Sequence, residues 1–161
     1  MKSQIKTQYP SARTSGMQEF FKLIQEEKNW SPNSISIATL KTLAIAPSKE
    51  SSVIHCLKFL GIVDSSGAPT NIFSKLHQDF PSTLKESVSK SYQEIFDQIP
   101  VSRINQQTLV NFFGESGYKE DTAEYQGALF VYLCKTAGIE LPNASLSFKR
   151  ARFKKQKKQI A

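Results

Sequence analysis

Leu84, Val88, Tyr92, Ile95 and Ile99 recur at steps of four, four, three and four residues. A helix, at 3.6 residues per turn, brings such positions to one face, whereas the two-residue period of a strand would scatter them over both. The pattern predicts one amphipathic helix from about Ser82 to Gln98, stopped by Pro100, which has no backbone N–H to continue the ladder. This is the most regular segment of the chain, and it commits the second half to helical packing.

The same period appears elsewhere. Met17, Phe20, Phe21 and Ile24 predict a helix over about Gly16 to Lys28, broken by Trp30-Ser31-Pro32-Asn33. Ser34 is suited to cap a second helix with Ile37, Leu40, Leu43 and Ala44 on its apolar side, ended by Ala46-Pro47. Ser48 stands at an N-cap position ahead of Glu50, opening a third helix with Val53, Ile54, Leu57 and Leu60 on one face and Gly61 at its end. Ile62-Val63-Asp64 and Ala68-Pro69-Thr70 flank the turn residues Ser65-Ser66-Gly67 and predict a short hairpin, with Pro69 marking an edge strand. A helix over about Ile72 to Gln78 follows. After the long helix come a short one carrying Leu109, Val110, Phe112 and Phe113, and a last long one from about Glu120 to Ala137.

Three helices and a hairpin within about sixty residues is the order of a winged helix. The expected fold class is mostly α: a winged-helix-like helical domain with one short β-hairpin. Leu57-Lys58-Phe59-Leu60-Gly61-Ile62 is echoed by Cys134-Lys135-Thr136-Ala137-Gly138-Ile139. The echo admits two readings, a second related helical unit or two unrelated helices that both stop at Gly-Ile. The organisation read from the chain is a flexible basic arm at 1–15, a winged-helix-like unit at 16–80, a second helical unit packed on it at 81–140 and a basic tail at 141–161.

The run VIHCLKFLGIVDSSGAPT, Val53 to Thr70, is more specific than a generic winged helix. It resembles the central signature of a prokaryotic family known as domain of unknown function 5343, in which a helix ending LkfLGliD leads to dGkPT and another helix. Gly16 at the opening of the first helix, Tyr92 in the long helix and the segment from Phe130 to Gly138 strengthen the resemblance, which covers about residues 9–140 and excludes the tail. It implies a helical, winged-helix-like domain and a setting among mobile-element and defence genes. It implies no activity and no functional residues.

Charge is segregated along the chain. Of 21 basic residues, seven lie between Leu141 and Ala161, namely Lys149, Arg150, Arg152, Lys154, Lys155, Lys157 and Lys158, with no acid among them. Residues 1–140 hold fourteen bases against fourteen acids, so the net +7 belongs to the tail. Seven like charges repel one another and oppose a compact isolated fold. Beside a phosphate backbone they would displace condensed counterions, and Phe148 and Phe153 among them could stack on bases. Nucleic acid is the preferred reading of the tail, ahead of an acidic protein partner and of solubility alone.

In the body, the third helix of a winged helix would face DNA. Its outward side would carry Lys49, Ser51, Ser52, His55 and Lys58; because Arg, Asn and Gln are absent, an ordinary solvated face of a protein-binding winged helix is preferred to base reading, with nonspecific backbone contact left open. His55 and His77 lack the spacing of a metal site, and Cys56 and Cys134 form no CxxC pair, so structural roles are expected for all four. Phosphate-loop, GxGxxG and GxSxG motifs are absent, as is any paired-carboxylate site that the helix dipole does not explain. Phe20, Phe21, Phe112, Phe113 and Phe130 fall at core spacing, leaving Trp30 as the aromatic to check for exposure.

No apolar run reaches the ~20 residues of a membrane span, and the polar N-terminus has no apolar stretch of a secretory signal. The two cysteines are therefore expected to be reduced thiols in the cytoplasm. The expected function is non-enzymatic, largely sequence-nonspecific binding of DNA or RNA, with no cofactor and no small-molecule substrate, through the seven tail cations aided by Lys49 and Lys58. The alternative is a protein-interaction adaptor subunit of a larger defence or mobile-element complex.

Overall fold

The structure, a computed structural model, describes residues 8–145. Among them are eight α-helices: α1 Thr14–Glu26, α2 Ile37–Thr42, α3 Glu50–Phe59, α4 Asn71–Gln78, α5 Phe80–Ser91, α6 Gln93–Gln98, α7 Gln106–Glu115 and α8 Glu120–Thr136, with a 3-10 turn at Val101–Arg103. Helix α7 lies along α8, α4 packs on α5, α5 reaches α8, and α1 touches α3, α4 and α8. The buried side chains of all these helices form one continuous core. Gly16, buried in α1, makes the α1–α3 approach possible, since a Cβ there would come within 3.0 Å of both Ala46 Cβ and Val53 Cγ2.

The mostly helical class holds, and two finer expectations do not. No sheet forms among the described residues. The 62–70 segment is a loop with one isolated antiparallel bridge, Val63 with Pro69. Pro69 cannot donate, so the ladder stops. Asp64 organises the loop instead. Its Oδ1 accepts from the Ser66 N–H at 2.9 Å, the Ser66 hydroxyl at 2.7 Å and the Ala68 N–H at 3.0 Å. These bonds, the Ser66 hydroxyl foremost, hold the Asp64 carboxyl below the ordinary aspartate range. The second difference is the link between α2 and α3. Helix α2 spans six residues, capped by Ser36 and not Ser34, so residues 43–49 separate it from α3 in place of a short helix-turn-helix turn.

That link stops α2 in an unusual way. The Ala44 N–H donates to Lys41 O at 3.1 Å and the Ile45 N–H to Leu40 O at 2.9 Å, the paired bonds of a Schellman cap. The residue turned left-handed is Ala44, at φ 57°, followed by Ala46 at 51° and Ser48 at 70°. The expected Ser48 cap is inverted: Lys49 is the N-cap, and the Ser48 N–H donates to the Glu50 carboxylate at 3.3 Å.

The same cap closes α3 through Gly61 and Ile62, α7 through Gly117 and Tyr118, and α8 through Gly138 and Ile139. The echo between the third and last helices is thus a shared stop signal, in which the residue after glycine folds back over the helix end. No repeated unit is needed to explain it.

The long helix predicted over 82–98 is two helices. At Tyr92 the backbone leaves helical geometry, at φ −105° and ψ 25°, and its ring is fully buried. Ring centroids lie 4.8 Å away at Phe130, 4.9 Å at Phe59 and 5.9 Å at Tyr9. Ile95 N–H still bonds Tyr92 O at 3.0 Å, so the apolar face continues through the break and the sequence period does not reveal it.

Residues 9–12 also differ from the flexible arm read over 1–15: Tyr9, Pro10 and Ala12 are buried. Residues 1–7 lie outside the described residues.

The Ala44 geometry gives a direct test. Ala44 is exposed, so A44G removes a left-handed alanine without loss of packing and is expected to stabilise the protein by up to about 1 kcal/mol, read as a higher urea midpoint. A lower midpoint would contradict this account of the α2 stop.

Candidate nucleic-acid interface

Helix α3 carries the body's share of the expected interface. Val53, Cys56 and Leu57 face the core, which turns Ser51, His55 and Lys58 outward on one strip, at spacings of four and three. Ser51 and Lys58 are exposed, while Ser52 and His55 are half-buried. Lys49 is exposed as well, but it is the N-cap residue, nine positions before Lys58. That offset places the two lysines on opposite sides of the helix, about 14 Å apart along its axis. The structure therefore brings Ser51, His55 and Lys58 together and leaves Lys49 apart. Ser52 is used locally, donating to Lys49 O at 2.8 Å.

Neighbouring charge is mixed. Glu50, at the start of the helix, is buried and stands 3.9 Å from Lys41 Nζ. Lys58 lies in the last turn, where a cation suits the helix dipole. Residues 8–145 contain twelve bases and fourteen acids, a mildly acidic body. The tail residues Lys149, Arg150, Arg152, Lys154, Lys155, Lys157 and Lys158 lie outside the described residues.

Trp30, His77 and the cysteines take structural places. The Trp30 ring sits 6.0 Å from Phe20 and 5.7 Å from Phe73, half-buried within the aromatic packing. The His77 ring lies edge-on to Phe73 at 4.8 Å. Among the described residues no cluster of His, Cys, Asp or Glu is arranged to hold a metal ion. No described helix is long and apolar enough to cross a membrane.

Sequence reasoning missed the hydroxyls of α5. Thr83, Ser87 and Ser91 recur every four residues on one edge of that helix and cap the carbonyl ends of its neighbours. Thr83 donates to Lys75 O at 3.3 Å, Ser87 to Leu60 O at 2.6 Å and Ser91 to Phe59 O at 3.2 Å. Their four-residue spacing was the available signal. By holding Phe59 and Leu60, α5 fixes the end of α3 from which Lys58 projects.

Cys56 and Cys134 are both buried, and burial pushes both thiols above the ordinary cysteine range. Neither thiol is expected to react with Ellman's reagent at pH 8 until denaturant is added. Rapid labelling of the native chain would show that α3 or α8 packs differently.

A family model described as a family of unknown function (DUF5343) matches residues 9–143. No curated protein matches the chain. No solved structure matches it either. The match runs from the buried Tyr9 to Asn143, nearly the whole of the described fold, and on that extent the chain belongs to the DUF5343 family of unknown function.

Proposed function

We propose that the protein is a non-enzymatic nucleic-acid-binding protein, largely indifferent to sequence, whose affinity comes mainly from its basic tail. The observation that carries this reading is charge segregation: seven cations and no acid after Leu141, against a body in which acids slightly outnumber bases. A phosphate backbone rewards such a tail through counterion release, without a shaped pocket. The α3 strip of Ser51, His55 and Lys58 supports a secondary contact to sugar and phosphate. Action in the cytoplasm on DNA or RNA, without a cofactor, completes the reading.

A second reading, an adaptor subunit within a defence or mobile-element complex, draws support from two exposed aliphatic side chains. Ile37 is 43% and Leu43 is 37% exposed. Leu43 also lines a groove between α1 and the α2 end, where Leu23 and Ile45 stand beside Glu19, Lys22 and Glu26. Exposed aliphatic side chains beside such a groove are suited to a protein partner.

The test is binding to duplex DNA and to single-stranded RNA over a salt series. The native chain is compared with a full-length variant whose seven tail cations are glutamine. If every tail cation neutralises a phosphate, the logarithmic salt slope on duplex DNA reaches about −6, and the variant loses most of that slope. K58A is expected to weaken the remaining binding severalfold, and K49A less, because Lys49 stands off the strip. Equal affinity and slope for the native and glutamine chains would overturn the tail reading. Retained binding that K58A abolishes would move the interface to α3.

A further inference from the structure

Glu124 is an anomaly that the fold does not resolve. It is 1% exposed, and its Oε1 accepts no hydrogen bond. A buried carboxylate without a partner is costly, and the helix dipole does not explain this one. Glu124 is the fifth residue of α8, just past the first turn, within which the dipole falls off. It lies four residues after the exposed Glu120, so two like charges share one face of the helix, an arrangement that opposes the helix until a cation offsets it.

Both carboxylates line a groove of about 370 Å³ between α7 and α8, together with Gln106, Gln107, Val110 and Asn111. No lysine or arginine is among these lining residues. The side chains suit the end of a basic residue: two carboxylates for its charge, the amide oxygens of Gln107 and Asn111 for its remaining N–H groups, and Val110 for its alkyl stem.

The chain itself brings such residues close. Near its described end, Asn143 Nδ2 donates to Ser102 O, just ahead of Asn105, the N-cap of α7. Gln106 and Gln107, which line the groove, are the first two residues of that helix. Lys149 follows Ser145 by four residues, a reach of up to about 14 Å, and Arg150 and Arg152 come directly after it. Tethering at that distance gives the tail a high effective concentration at the groove.

We propose that the α7–α8 groove is a docking site for the chain's own tail, seating a cationic side chain from Lys149, Arg150 or Arg152 on Glu120 and Glu124. A guanidinium suits the site better than an ammonium, because its planar fork pairs with carboxylates bidentately and it is less strongly hydrated. The contact holds the tail root against the body. The proposal does not depend on what the remaining cations bind.

The test is amide NMR of the full chain without nucleic acid. Replacing Lys149, Arg150 and Arg152 by glutamine is expected to shift the amide resonances of Val110, Asn111, Glu120 and Glu124. Raising the salt concentration on the native chain should move them in the same direction. E120Q, at an exposed position where folding is not at risk, should weaken the response, and E124Q should abolish it. Added agmatine should shift these amides in the glutamine variant more than in the native chain, whose groove is occupied. Groove resonances unchanged by the tail substitutions would overturn the proposal, as would an equal agmatine response in both chains. Either result would leave the salt-series outcome above to stand independently.

Discussion

The Tyr9 side chain is a central point at which the two halves of the chain become one core. Its ring lies within 6 Å, centroid to centroid, of Phe59 in α3, Tyr92 at the α5–α6 break, and Phe112 and Phe113 in α7. Its hydroxyl donates to Glu94 at 2.8 Å, its backbone N–H to the Tyr118 hydroxyl at 3.0 Å, and its carbonyl accepts from Gln126 at 3.0 Å. Burial first, and the Glu94 bond second, hold the phenol proton far above the ordinary tyrosine range. One residue near the start of the fold thus joins an early helix to the last three. Aromatic pairs of this kind, edge-on with Phe112 and Phe113 and stacked with Tyr92, add about 0.5–1.5 kcal/mol each beyond their buried area, so the cluster contributes strongly to holding α3 against α7 and α8.

Helix existence was legible in the sequence because it depends on local spacing and local stop signals. Met17, Phe20, Phe21 and Ile24 are buried as their period requires, and Gly61 and Gly138 close their helices as expected. What was not legible depends on contacts distant in sequence. Tyr9 sits in a polar, basic stretch that reads as an arm, and only its partners fifty or more residues later reveal it as core. The α5–α6 break is invisible for a related reason: Tyr92 continues the apolar face while its ring is drawn among Tyr9, Phe59 and Phe130. The hairpin misread has a local cause, since Asp64 satisfies three loop donors and Pro69 cannot extend a ladder.

The candidate site was legible in part. Helical geometry alone places Ser51, His55 and Lys58 on one outward strip, and the fold leaves Ser51 and Lys58 exposed and His55 half-buried. Lys49 could not be placed without knowing where α3 begins, because a start one residue later than Ser48 suggests makes it the cap. Glu124 was hidden because a glutamate in the first half of a helix looks like dipole chemistry until its burial is known. The charge count remains the strongest functional statement. It separates a nearly neutral fold from a basic tail, and the proposed polyanion binding rests on that tail.

Cooperative unfolding tests the Tyr9 account most directly. Trp30 reports on the first half through its contacts with Phe20 and Phe73, while far-UV circular dichroism reports on all the helices. In urea the two signals are expected to change together in the native chain, and Y9A should lower both midpoints by the same amount, corresponding to a loss of about 3–5 kcal/mol. A Trp30 transition that stays in place in Y9A while the circular dichroism transition splits away from it would show that the halves are stable separately, and that Tyr9 does not unite them.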